Sequence, residues 1–282
     1  METVFIALSN MSGIACASDR DHTIYQLSKK VPLALAVNPF SPIPWDKIIE
    51  QYKLTGGPEE KEEFSDYASH FLAFLSTIPV EKSWHSETRD DLNIIFMGYG
   101  KEELFPCVYD VILKINSEKD ILEEDFSVYR KISHHHVSAI NMLGSFEEVS
   151  TLLFGATQKN KEAAFDSLSK QYDIYKERVR DKFKESEFED YVNKKLEEFD
   201  SEIEAANIIN SSSDEISSQV NTGMDTFSIE DLVTAAETLV NAEIRLKHLF
   251  SKGKDAVRST KEIAVITQTE GVTWLKHSLF AL

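Results

Sequence analysis

Thr3 stands at the head of an apolar, β-branched run, Thr3–Ser9, and a second apolar run, Gly13–Ala17, leads into Asp19-Arg20. A threonine so placed can act as a nucleophile when its own α-amino group serves as the base, because the hydroxyl alone attacks poorly. Met1 and Glu2 precede it, so this chemistry requires their removal; Glu2 disfavours loss of Met1, which in any case leaves one residue ahead of Thr3. His134-His135-His136 is the second arrangement of chemical interest, since imidazole is the commonest transition-metal ligand. Adjacent side chains point to opposite faces of a strand and splay by about 100° on a helix, so three in a row do not converge on one ion. An exposed polar turn without metal is expected there. Gly98-Tyr99-Gly100 lacks the third glycine or the Lys-Ser/Thr pair of a phosphate loop, and no Gly-x-Ser-x-Gly elbow occurs. No cofactor is expected.

The elements that must position these residues follow from the hydrophobic pattern. Thr3–Ser9 and Gly13–Ala17, joined by turn residues Asn10–Ser12, predict a hairpin of strands apolar on both faces. Thr23–Leu27 and Val31–Val37 repeat the pattern around Ser28-Lys29-Lys30. The Pro-rich stretch Asn38–Pro44 cannot continue a central strand, and Trp45–Ile49 opens a helix. Residues 59–81 carry Phe64, Tyr67, Phe71, Phe74 and Leu75 at helical steps. Leu92–Met97 and Pro106–Ile115 predict strands, and residues 145–204 read as helical. Ser228–Asp231 has the form of a capping box opening a helix with Leu232, Leu239 and Leu246 on one side. Ile263–Thr267 and Val272–Leu275 close the chain as a hairpin. Short turns between strand pairs predict antiparallel sheets, with helices layered outside them.

Composition narrows the functional classes. The 282 residues carry 30 basic and 48 acidic side chains, a net charge of -18, with 42% hydrophobic residues, ample for a packed core. Such a charge repels phosphate backbones and anionic lipid, and no basic patch offsets it, so neither nucleic acid nor membrane is an expected partner. Residues 182–204 contain four Lys against nine Asp or Glu, the pattern of a solvated helix face. Cys16 and Cys107 have no metal-ligand spacing and are too few for a disulfide framework, so buried, reduced thiols are expected. Val4–Leu8 before Ala15-Cys16-Ala17 has the look of a signal peptide, but Glu2 replaces the basic start and Ser9–Ser12 interrupts the apolar core. A cytoplasmic protein is expected.

Thr3 through Arg20, reading TVFIALSNMSGIACASDR, resembles the opening of proteasome β-type subunits. Pro44–Ile49, Phe96–Pro106, Ser228–Leu239 and the closing hairpin are similar to a bacterial branch of proteasome-like proteins. The likeness spans most of the chain outside about 157–225. It implies an N-terminal nucleophile (Ntn) hydrolase fold: an α+β, four-layer αββα sandwich of two antiparallel sheets between helical layers, in one domain over 1–282 with an acidic helical insertion at 157–225. It further implies Thr3 as nucleophile, Asp19 and Asp255 as supporting acids, and Ser145, after Gly144, as proton relay. The chain departs from the family where it matters most. Thr23 occupies the position of the family's essential Lys, whose charge lowers the pKa of the site, and Lys29 and Lys30 lie at the far turn of that strand. Leu35, Ala36, Val37 and Asn38 stand where the family has glycines that help hold the oxyanion, and Arg258-Ser259-Thr260 replaces a Ser-Gly-Gly. The expectation is a catalytically impaired, self-assembling subunit that partners copies of itself or other proteasome-like subunits. The alternative is an active threonine peptidase acting on a peptide or protein substrate after loss of Met1-Glu2.

Overall fold

The computed structural model describes residues 3–28, 30–55, 63–81, 84, 92–116, 119–134, 137–144, 146, 149–150, 176–182, 184, 190–196, 223–250 and 259–277. The chain divides into two compact units, Met1–Val149 with Asn221–Leu282, and Ser150–Val220. In the second unit, residues 176–182 and 190–196 are helical.

The first unit is α+β, with two five-stranded sheets in which every strand pair is antiparallel. β1 (Val4–Asn10) and β2 (Gly13–Ser18) form the expected hairpin, and the Asn10 side-chain carbonyl accepts the Ser12 N–H at 2.8 Å to close its turn. With β8 (Ser138–Gly144), β9 (Glu262–Thr267) and β10 (Gly271–Lys276) they make one sheet, in the order β10-β9-β2-β1-β8. The other runs β3-β4-β5-β6-β7, from β3 (Ile24–Gln26), β4 (Leu33–Val37), β5 (Asn93–Gly98), β6 (Cys107–Asn116) and β7 (Ile121–Lys131).

Alternation along the strands distributes side chains into separate layers. Phe5, Ala7, Ile14, Cys16, Ala264 and Ile266 of the first sheet meet Ile24, Ala34, Ala36, Ile95, Met97 and Val108 of the second. On the opposite face of the second sheet, Leu33, Leu35, Val37, Ile94 and Phe96 pack with helices α1 (Trp45–Leu54) and α2 (Phe64–Leu75). The outer face of the first sheet is covered by α3 (Ile229–Phe250), which lies on β1 and β2 and buries Leu232, Ala236 and Val240 completely. The layers therefore run helix, sheet, sheet, helix. No helix among the described residues is long and apolar enough to cross a membrane.

Four elements differ from the sequence pattern. β7 and β8 are strands where the pattern shows none, because both are edge strands with one half-exposed face and carry polar residues that read as loop. Helix α2 is shorter than residues 59–81; its last turn closes at Ser76, whose N–H bonds Leu72, and Pro79 bridges to Ile121. The buried stripe of α3 runs through Leu232, Ala236, Val240 and Ile244 at steps of four, leaving Leu239 and Leu246 half-buried. The capping box itself forms as expected: Ser228 Oγ accepts the Asp231 N–H at 3.2 Å, and the Asp231 carboxylate accepts the Ser228 N–H at 3.1 Å.

Since Leu232 is wholly buried between helix and sheet, Leu232→Ala is expected to lower stability by about 2–5 kcal/mol in denaturant titration. A loss under about 1 kcal/mol would show that α3 is not seated on β1 and β2.

Candidate functional site

The ends of β1, β2 and β4 and the head of β3 converge on Thr3. Its side chain is 1% exposed, and its hydroxyl donates to Asn38 Oδ1 at 3.2 Å. Asn38 lies just past β4, where the chain turns into Asn38–Pro44, and the same Oδ1 also accepts the Phe40 N–H at 3.1 Å. One amide oxygen thus fixes both the turn and the threonine hydroxyl.

Asp19 closes the end of β2 against the start of β1. Its Oδ1 accepts the Val4 N–H at 2.8 Å, while the Asp19 N–H donates to the Val4 carbonyl at 3.1 Å. Arg20 Nε lies 3.6 Å from Asp19 Oδ2, and the Arg20 guanidinium sits 4.5 Å above the centre of the Phe40 ring. The acid, the cation and the ring so link the β2 end to the β4 end across Thr3. On the other flank, Gly144 pairs with Val4 at a φ of 89°, and a Cβ there would lie 1.9 Å from the Thr3 carbonyl oxygen. Only glycine lets β8 close so tightly on the head of β1.

Thr23, at the position where the resemblance implies a Lys, receives a hydrogen bond from Ser18 Oγ at 2.9 Å and donates to the Arg20 carbonyl at 3.3 Å. Its carbonyl accepts the Val37 N–H at 3.0 Å, tying the head of β3 to β4. Lys30 is exposed in the following turn, and Lys29 lies outside the described residues, as do Ser145 and Asp255. The structure accordingly gathers Thr3, Asp19 and Thr23, and adds Asn38, which sequence reasoning singled out only as a non-glycine.

Among the described residues, the Thr3 hydroxyl is oriented by the Asn38 amide oxygen. A neutral amide oxygen accepts a hydrogen bond but cannot take up the proton that nucleophilic attack requires. The Asp19 carboxylate accepts the peptide N–H after Thr3 in a charge-assisted hydrogen bond and forms an ion pair with the Arg20 side chain, contacts that hold the strand ends.

His134 is exposed, with its ring 5.5 Å from Phe105, while His135 and His136 lie outside the described residues. No group of His, Cys, Asp and Glu among the described residues could hold a metal ion. Cys16 and Cys107 are buried free thiols; burial raises both, Cys107 to about 12, so neither is a thiolate near neutrality.

Asp19→Ala leaves the buried Val4 N–H without its acceptor, and a stability loss of about 1–3 kcal/mol is expected by chemical denaturation. Gly144→Ala is expected to cost at least as much, since strain at positive φ adds to the backbone collision. Unchanged denaturation midpoints would mean that the β1 head is not held as described. No protein-family model and no curated protein matches the chain.

Proposed function

We propose that this chain is a proteasome-like protein of the Ntn-hydrolase fold in which the site has given up catalysis, and that it acts as a self-assembling subunit in scaffolding or partner binding. The observation that carries this reading is the state of Thr3: buried, with its hydroxyl donated to the amide oxygen of Asn38. Thr23 supports it from the other flank, since a hydroxyl shared with Ser18 and the Arg20 carbonyl supplies none of the positive charge that a lysine at this position would bring. The two antiparallel sheets and the outer helices agree with the fold that the resemblance implies. Assembly rests on the resemblance and is tested directly.

In this reading Thr3 is a structural residue. The protein purified untagged from its own host is expected to retain residues ahead of Thr3 by intact mass. It should stay unlabelled by electrophiles that trap an N-terminal threonine, and should run as a large oligomer by light scattering. Thr3→Val is expected to keep that oligomer and to lose about 1 kcal/mol of stability, the usual worth of one hydrogen bond. A chain that begins at Thr3 and carries the electrophile there overturns the reading in favour of a threonine peptidase. A monomer overturns the assembly role.

A further inference from the structure

β7 is the free edge of its sheet, and along its open side every second residue turns a backbone N–H and C=O away from β6. Among the described residues only the start of that side is covered: Pro79 bridges to Ile121, and the Val80 N–H donates to the Asp120 carbonyl at 2.8 Å. Farther along, the strand exposes two aromatic side chains, Phe126 at 53% and Tyr129 at 40%. Edge strands are blunted by short length, charge or a bulge. β7 is 11 residues long and bulges once, at Asp125, where Ile112 pairs with Phe126 and Leu113 with Glu124.

The charges on this edge are sorted along it. Glu123, Glu124 and Asp125 fill its first half, with Lys114 of β6 3.4 Å from Glu123 and 3.6 Å from Asp125, and Arg130 and Lys131 close its second half. Pairing with β6 fixes the face each one occupies. Glu123 lies opposite Lys114 and Arg130 opposite Val108, on the face turned to the first sheet, whereas Glu124 and Lys131 lie opposite Leu113 and Cys107 on the face packed with α1 and α2. Each face therefore carries an acid near one end of the strand and a base near the other. Within the chain, Arg130 favours the ionised form of Asp110 and Lys131 pairs with Glu103 at 2.8 Å, yet Lys131 keeps 50% of its side chain exposed.

We propose that β7 is the surface on which a second copy of this chain docks, antiparallel about a twofold axis at Ser127, so that the five-stranded sheets of two copies join edge to edge. A strand with acids first and bases last matches its own copy only when the two run antiparallel; a parallel copy sets like charge on like. With Ser127 on the axis, Phe126 falls opposite Val128 of the copy. Past the bulge, Glu123 falls opposite Arg130 of the copy and Glu124 diagonal to its Lys131, each pair on its own face. The bulge and the acids that turn away unrelated strands are the features this copy fits. This contact gives the assembly proposed above its surface and rests on that reading; being isologous, it requires an even number of copies.

Ser127→Cys in the full-length protein tests it. Across the axis the two Cα atoms at this position stand about 4.5–5.5 Å apart, within disulfide range, and the native Cys16 and Cys107 are buried. Mild oxidation is expected to give a species of twice the chain mass on non-reducing gels, while Glu270→Cys, in the exposed β9–β10 turn, gives no more than wild type. Glu123→Arg and Arg130→Glu are each expected to lower the mass by light scattering to half the wild-type value or less. An equimolar mixture of the two should restore it, since each supplies the charge the other lacks, and this recovery also shows that both fold; if either does not, the cross-link decides alone. Absence of the Ser127→Cys dimer, a disulfide to another protein in its place, folded charge variants that keep the wild-type mass, or an odd number of copies overturns this contact, and a wild type that is still a large oligomer then leaves the assembly reading standing without it. A monomeric wild type overturns both.

Discussion

β1 is buried from Val4 to Asn10 and β2 from Gly13 to Ser18, so neither face of this hairpin can meet water. Covering both faces calls for a sheet on one side and a helix on the other, and burial of each large apolar side chain supplies roughly 1.5–3 kcal/mol toward that arrangement. β4 is buried from Leu33 to Val37 and imposes the same demand on the second sheet. Sheet packs against sheet through many small side chains, among them Ala7, Cys16, Ala34, Ala36 and Ala264, while the aromatic residues concentrate under α1 and α2. Close approach extends to the backbone: a Cβ on Gly98, at a φ of 154°, would lie 2.0 Å from the Pro32 carbonyl.

Sandwiching strands this way leaves their ends as the places where polar groups collect. Buried donors and acceptors must find partners there, and the residues with chemical potential are the ones used. Asp19 satisfies Val4, Asn38 satisfies both Thr3 and Phe40, and Thr23 completes a chain from Ser18 to Arg20. Among the described residues, the Thr3 hydroxyl is held by one amide oxygen. These bonds knit the strand ends of the two sheets together.

Two buried glutamates show how much the counter-charge matters. Glu103 accepts the Gly100 N–H at 2.8 Å and pairs with Lys131 at 2.8 Å, and this bond raises the lysine above its usual range. Its charge is balanced by a cation, and its carbonyl accepts from Gln268 at the β9–β10 turn. Glu262 has amides and a histidine in place of that lysine, so its ionisation carries a burial cost that Glu103 offsets through Lys131. Both acids tie distant elements together, Glu103 through a cation and Glu262 through backbone amides.

The strands buried on both faces were legible in the sequence, because double burial leaves an unbroken apolar run that period and turn residues delimit, as in Val4–Asn10, Gly13–Ser18 and Leu33–Val37. The Ser228–Asp231 cap and the closing hairpin were legible for the same local reason. The edge strands β7 and β8 were not, since a half-exposed strand tolerates polar residues and loses its periodic signature. Thr3, Asp19 and Thr23 were visible as residues, but their hydrogen-bond partners were set only in three dimensions. Asn38 reaches Thr3 across 35 positions of chain, and Glu262 reaches the β2–β3 turn across 238 to 240. Local pattern determines which segments are buried; what a buried polar group bonds to depends on which strand ends the sandwich brings together.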